Sequence, residues 1–143
     1  MIFREATMSD ADTILSWRND PRVFLNFRRM VPVPREEHLL WLAACLDSSR
    51  CLILIGVNEG VPVGMVRLDQ SPDGYSEVAI IVAPEHQGKG YGTALLDFAC
   101  GDDDPLVAEI KEVNTASRRI FEKCGFKQVS PEQRYVMYRR EPE

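Results

Sequence analysis

The residues whose types and spacing could do chemistry lie between positions 82 and 93. There Val82-Ala83-Pro84-Glu85-His86-Gln87-Gly88-Lys89-Gly90-Tyr91-Gly92-Thr93 joins an apolar strand to an amphipathic helix. Gly88, Gly90 and Gly92 free the backbone for positive φ, so successive N–H groups can converge on one concavity. The helix that follows adds donors without intrahelical partners and the positive end of its dipole. Such a turn suits a phosphate or another small anion. No Gly-Lys-Ser/Thr tail follows the last glycine, so it is not a kinase-type P-loop, and G-x-G-x-G is not the dinucleotide fingerprint. A plain tight turn would use the same glycines.

A second strand–helix junction, Glu109-Ile110-Lys111-Glu112-Val113-Asn114-Thr115-Ala116-Ser117, puts polar side chains at the start of the next helix, which continues to Gly125-Phe126. With both segments in view, the chain resembles the GNAT superfamily of acyl-CoA-dependent N-acetyltransferases. That family's Q/R-x-x-G-x-G/A pattern, which grips the CoA pyrophosphate, reads here Gln87-Gly88-Lys89-Gly90-Tyr91-Gly92. Its later N-x-x-A-x-x-hydrophobic-Y-x-K-x-G-F segment reads from Asn114 to Phe126, with Ser117 at the small position and Phe121 where Tyr is frequent. Towards the N-terminus, Trp17-Arg18-Asn19-Asp20-Pro21 and Glu36-Glu37-His38-Leu39-Leu40-Trp41-Leu42 are similar to two narrower groups. One acetylates nucleotide-linked aminosugars, as in the pseudaminic-acid pathway; the other acetylates ribosomal-protein N-termini. The Trp-Arg-Asn-Asp-Pro stretch is nearer in look to the first.

The resemblance implies direct attack of an amine on the thioester of acetyl-CoA, without a metal. Gln87, Gly88, Lys89, Gly90, Tyr91, Gly92 and Thr93 would hold the cosubstrate, joined by Asn114, Ser117 and Phe121. It also implies that the strand ending at Val82 splays from its neighbour, so that backbone groups near Ile81, Val82 and Ala83 pair with the pantetheine arm. The Val82 N–H would then face the thioester oxygen as a preorganised donor. Two roles stay open for Asn114, helix N-cap or cosubstrate donor, and two for Phe121, core or cosubstrate contact.

For the base the residues themselves point to Glu77, the only acid in its otherwise apolar strand and at the parity of Tyr75, Ala79 and Ile81. Partial burial would bring its pKa towards a useful value, and a water chain would relay the proton if it is remote. Phe121 cannot protonate sulfur, which leaves unassisted thiolate release or Tyr91, Tyr135 or Tyr138. Trp17, Arg18, Asn19, Phe27 and Arg28 are the acceptor candidates: Arg28-Arg29 to meet a diphosphate, Trp17 or Phe27 to stack, with Trp17 equally suited to the core.

The elements needed to position these groups follow from periodicity. Ile2–Arg4 reads as a strand, and Thr7 with Asp10 as a capping box before a helix that Asp20-Pro21 stops. Pro34 opens a second helix carrying Leu39, Leu42 and Leu46. Strands follow at 51–57, 61–68 and 75–82, then a helix over 93–100, a strand at 106–110, a helix over 115–123 and strands at 126–129 and 135–139. The order β-α-α-β-β-β-α-β-α-β-β describes an α/β fold, a mixed α+β sheet with helices on its faces, and the resemblance makes it the acyl-CoA N-acyltransferase fold.

The 143 residues suit one domain, 1–143. Seventeen basic against 22 acidic residues give a net charge of -5, which argues against nucleic acid or an anionic membrane as partner. No signal-like N-terminus is visible and no apolar run reaches membrane length. The four cysteines have no CxxC pairing, so the expectation is free thiols in a cytoplasmic protein without a metal site. A small-molecule amine is the expected partner, with a homodimer compatible. The rival readings are a protein N-terminal acetyltransferase and a CoA-binding module without turnover.

Overall fold

The computed structural model describes residues 1–101, 105–130 and 135–141, the side chain of Tyr135 excepted. Strand β1 (Ile2–Glu5) leads through a 3-10 turn (Met8–Asp10) into helix α1 (Ala11–Arg18), a short helix α2 (Pro21–Phe24) and helix α3 (Arg35–Asp47). Strands β2 (Cys51–Asn58), β3 (Val61–Gln70) and β4 (Ser76–Val82) form an antiparallel meander. After a 3-10 turn (Pro84–His86) come helix α4 (Tyr91–Ala99), strand β5 (Leu106–Lys111), helix α5 (Thr115–Lys123) and strands β6 (Lys127–Gln128) and β7 (Tyr135–Arg140). The seven strands lie in the order β1-β2-β3-β4-β5-β7-β6, and the β4–β5 pair is parallel. The mixed α/β reading from the sequence holds. The acidic run Asp102–Asp104 and residues 131–134 lie outside the described residues.

Alternation along the strands divides the sheet between two cores. Even positions such as Val66 and Val78 pack under α4 and α5 with Leu95, Leu96 and Phe121. Odd positions such as Ile53, Ile55 and Met65 pack under α1 and α3 with Ile14, Trp17 and Leu42. In α3 the buried face runs through His38 and Leu42, whereas Leu46, expected on the apolar stripe, is 36% exposed.

Asp20-Pro21 ends α1 as expected, but the same pair also starts a helix absent from the sequence reading. The Asp20 carboxylate accepts from the Arg22 N–H at 2.9 Å, and Pro21 has the φ that a first helical position needs. One turn, α2, results.

The β4–β5 ladder is short. It pairs Ser76 with Leu106 and Glu77 with Val107, and beyond that point the strands part. On its other side β4 stays in register with β3 as far as Gly64↔Val82. In that antiparallel ladder Ala83 N–H donates to Val63 O at 2.8 Å, so by alternation Ile81, Ala79 and Glu77 also bond towards β3. The peptide groups of Ile80 and Val82 therefore point into the gap left by β5.

The opening of the chain is locked by Asp10, which is 7% exposed. Its carboxylate accepts from Arg4 Nη1 and Nη2 and from Thr7 N–H, each at 2.8 Å, as the capping-box reading required. The Arg4 hydrogen bond, foremost, holds this carboxyl below the usual carboxylate range. Asp10→Asn should lower stability at pH 7 by about 1–2 kcal/mol, the modest size following from the half-exposed Arg4. Because the folded-state pKa is depressed, the wild-type advantage is complete above an ordinary Asp pKa of about 4 and is lost as pH falls through the lower folded value. Denaturant melts at several pH values check both the size and the sign.

Candidate active site

The glycine segment forms an open cradle. Gly88 (φ 77°) and Gly90 (φ 86°) take the left-handed conformation, and Gly90 stands at the N-cap of α4 without any side-chain cap. Among the described residues, no acceptor bonds the N–H groups of Gly88, Lys89, Gly90, Tyr91, Gly92 or Thr93. Six successive donors and a helix N-terminus thus face outward together, which fits a pyrophosphate. A Cβ at Gly88 or Gly90 would meet nothing within 4 Å, so those glycines serve the backbone angle. Gly92 serves close approach: a Cβ there would lie 3.0 Å from Ile120 Cδ1 and 3.4 Å from Val82 Cγ2.

Beside the cradle lies a cavity of about 430 Å³. Gln87, Gly88 and Gly90–Thr93 wall it on one side, Ile80, Ile81 and Val82 of β4 form its floor, and Asn114, Ala116, Ser117 and Ile120 close it from α5. Three sequence expectations change here. Phe121 is 3% exposed and packs edge-on to Phe126 at 4.9 Å, so it belongs to the core and not to the wall. Lys89 stays off the wall, with Nζ 3.3 Å from His86 Nδ1. The backbone groups free to pair with a ligand are those of Ile80 and Val82; the peptide groups of Ile81 and Ala83 are committed to β3. Asn114 caps α5 through Oδ1, which accepts from Ser117 N–H at 3.3 Å, and keeps its amide NH2 for donation.

A second chamber of about 340 Å³ opens on the other face of the sheet and shares Asn26, Phe27 and Ile81 with the first. The two meet where β4 and β5 part. Glu77, Ala79 and Ile81 line the second chamber from β4, Met65 and Arg67 from β3, and Glu109 and Lys111 from β5. The segment 25–33 crosses over it. Lys111 Nζ donates to Leu25 O at 2.9 Å, and Arg28 forms an ion pair with Glu109. Asn19 exchanges hydrogen bonds with the Val33 backbone at 2.7 and 3.0 Å.

Of the acceptor candidates, Arg18, Phe27 and Arg28 reach this chamber. Trp17 is 3% exposed inside the α1/α3 core, and Asn19 is spent on holding the crossing segment. Arg28 and Arg29 are paired with Glu109 and Glu37. Sequence reading missed Arg67 and Trp41. The signal for Arg67 was present, a charged residue at the parity of Met65 within an apolar strand. Glu77 faces the chamber as its parity suggested, but it is exposed and not partly buried.

An anion cradle at a helix N-terminus thus stands next to a strand whose peptide groups have lost their neighbour, an arrangement that suits a phosphate-bearing ligand with a linear arm that can pair with the strand. The chain belongs to the GNAT acetyltransferase family: residues 1–127 match the model of the acetyltransferase (GNAT) domain. The chain is 26% identical over 135 residues to the uncharacterized protein MJ1062 of Methanocaldococcus jannaschii, covering 89% of this chain but 28% of that relative's length. A ribosomal-protein-alanine N-acetyltransferase from Brucella melitensis superposes with a TM-score of 0.82 at 22% identity, over 99% of both chains. The spermidine N-acetyltransferase of Vibrio cholerae in complex with CoA and spermine has a TM-score of 0.80 at 18% identity, over 96% of this chain and 92% of that one. At such identities the likeness is one of fold. No helix among the described residues is long and apolar enough to cross a membrane.

Gly92→Ile should fill the space between β4, α4 and α5. Calorimetry should show at least a tenfold loss of CoA affinity, about 1.4 kcal/mol, and the melting temperature should fall as well because the added side chain crowds Ile120 and Val82. Unaltered affinity would remove this cavity as the CoA site.

Proposed function

We propose that this protein transfers the acetyl group of acetyl-CoA to a primary amine of a small molecule, with a nucleotide-linked aminosugar as the acceptor, in the cytoplasm. One observation carries the reading. Two chambers, one lined by unbonded amides and one by charged side chains, share Asn26, Phe27 and Ile81 as lining residues, beside the point where β4 has lost β5.

In this reading the N–H groups of Gly88–Thr93 hold the pyrophosphate, and the Ile80 and Val82 peptide groups hold the pantetheine arm in place of a β5 partner. Acetyl-CoA supplies an activated acetyl thioester at the gap. The Val82 N–H donates to the oxygen on which negative charge develops, and being already fixed it needs no reorganisation. Glu77 lies four residues before Ile81, about 13 Å along the strand, so it takes the ammonium proton through intervening water.

The departing sulfur leaves as thiolate. Tyr138 is 0% exposed with its hydroxyl accepting from Arg118 Nε at 2.9 Å. The Tyr91 hydroxyl accepts from Asn58 on β2, two strands from the gap. An ordinary thiol pKa of about 8.5 makes thiolate an adequate leaving group without an acid.

The segment crossing the acceptor chamber favours a small molecule over a protein N-terminus, because its ties to β5 close the space an extended peptide would need. Against a CoA-binding module stands the charged second chamber, for which such a module has no use. Glu77→Gln should lower kcat/KM about 100-fold and leave acetyl-CoA affinity unchanged. It should also abolish the acid limb of the pH–rate profile; an unaltered profile would remove Glu77 as the base.

A further inference from the structure

The acceptor chamber gathers five cations against two carboxylates in a chain whose net charge is -5. Three of the five have clear duties: Arg28 pairs with Glu109, Arg29 with Glu37, and Lys111 binds the Leu25 carbonyl. Arg18 and Arg67 are different. Both guanidinium groups stand at one indole ring, with Arg18 Cζ 4.5 Å and Arg67 Cζ 5.9 Å from the Trp41 centroid.

Arg18 bonds no carboxylate among the described residues. Its Nη1 lies 2.9 Å from Nδ1 of His38, a fully buried ring whose Nε2 is 2.8 Å from Ala11 O. A carbonyl can only accept, so Nε2 carries the proton and Nδ1 offers a lone pair. His38 therefore orients Arg18 without neutralising it. Arg67 is compensated only in part. Its Nε is 2.9 Å from Asp69 Oδ2 but out of line for a hydrogen bond, and that nitrogen is shut off from solvent. Burial pushes the Arg18 pKa down, and the Arg67 charge pushes it further. Two like charges held half-buried around one ring repel each other unless an anion joins them.

We propose that Arg18 and Arg67, flanking Trp41, form a subsite for an acidic group on the acceptor, so that the substrate is an amine that also carries a carboxylate or phosphate. This rests on the acetyl-transfer reading and narrows it. Arg67 stands opposite Ala79, two residues from the Ile81 at which the chambers meet, so the acid seat lies about 7 Å along β4 from the reaction point. Guanidinium groups suit either anion because they can donate two parallel hydrogen bonds. A polyamine such as the spermine held by the Vibrio cholerae structure would meet repulsion here.

The test is turnover of matched amines: glucosamine 6-phosphate beside glucosamine, 5-aminopentanoate beside its amide, and spermidine. The expected result is at least tenfold higher kcat/KM for the acidic member of one pair, the pair itself distinguishing phosphate from carboxylate. Arg18→Gln and Arg67→Gln should each raise KM for that member at least tenfold more than for its neutral counterpart and leave CoA affinity within twofold. Preference for neutral amines or spermidine, or equal losses on both members, would overturn the subsite and leave acetyl transfer standing. If no amine is acetylated, acetyl transfer fails, and the subsite is decided separately. With CoA saturating the cradle, inorganic phosphate and acetate are titrated while the indole N–H resonances are followed. A shift of the Trp41 signal in the wild type but not in Arg67→Gln supports the subsite; an unmoved signal overturns it.

Discussion

The parting of β4 from β5 is the constraint on which the rest of the structure depends. A sheet interior satisfies its peptide groups by pairing, and an unpaired buried group costs about 1–3 kcal/mol. Here the ladder ends after Glu77↔Val107 while β4 runs on to Val82, still bonded to β3 on its other side. The Ile80 and Val82 peptide groups are thus held in place with no partner on the β5 side among the described residues. A linear ligand with its own amides can complete the sheet at that point, and its reactive end is then fixed beside a donor that cannot relax away.

Both cores serve this arrangement. Under α4 and α5, Leu95, Leu96 and Phe121 anchor the helices against the even side of the strands and set the glycine cradle at the end of β4. Under α1 and α3, Ile14, Trp17 and Leu42 do the same on the odd side and bring Arg18 and Trp41 over β3. Both cavities reach Ile81, beside the gap in the sheet. In the proposed function, cosubstrate and acceptor approach from opposite sides and meet at Ile81.

Much of this could be read from the residues. The glycine spacing and the apolar strand before it located the cradle, because backbone angle and unpaired helix donors are local properties. Strand and helix order followed from periodicity for the same reason. The acceptor side was harder. Arg28 and Arg29 look free in the sequence, but Arg28 pairs with Glu109, far along the chain, and Arg29 with Glu37 on the following helix. Arg67 is a visible charge in an apolar strand, but its meaning depends on a ring contributed by α3. Which peptide groups of β4 are free turned on hydrogen-bond parity with β3, and residue types do not encode that. Phe121 sits at a motif position yet packs in the core, since a phenyl ring has no polar atom to bring to the wall.

Backbone amide resonances recorded during an acetyl-CoA titration test the central claim most directly. The account predicts large shifts, and slowed hydrogen exchange, for the N–H groups of Gly88 to Thr93 together with Ile80 and Val82, and little change along β1 and β2. Saturable binding that leaves those amides unmoved, or no binding at all, would contradict it.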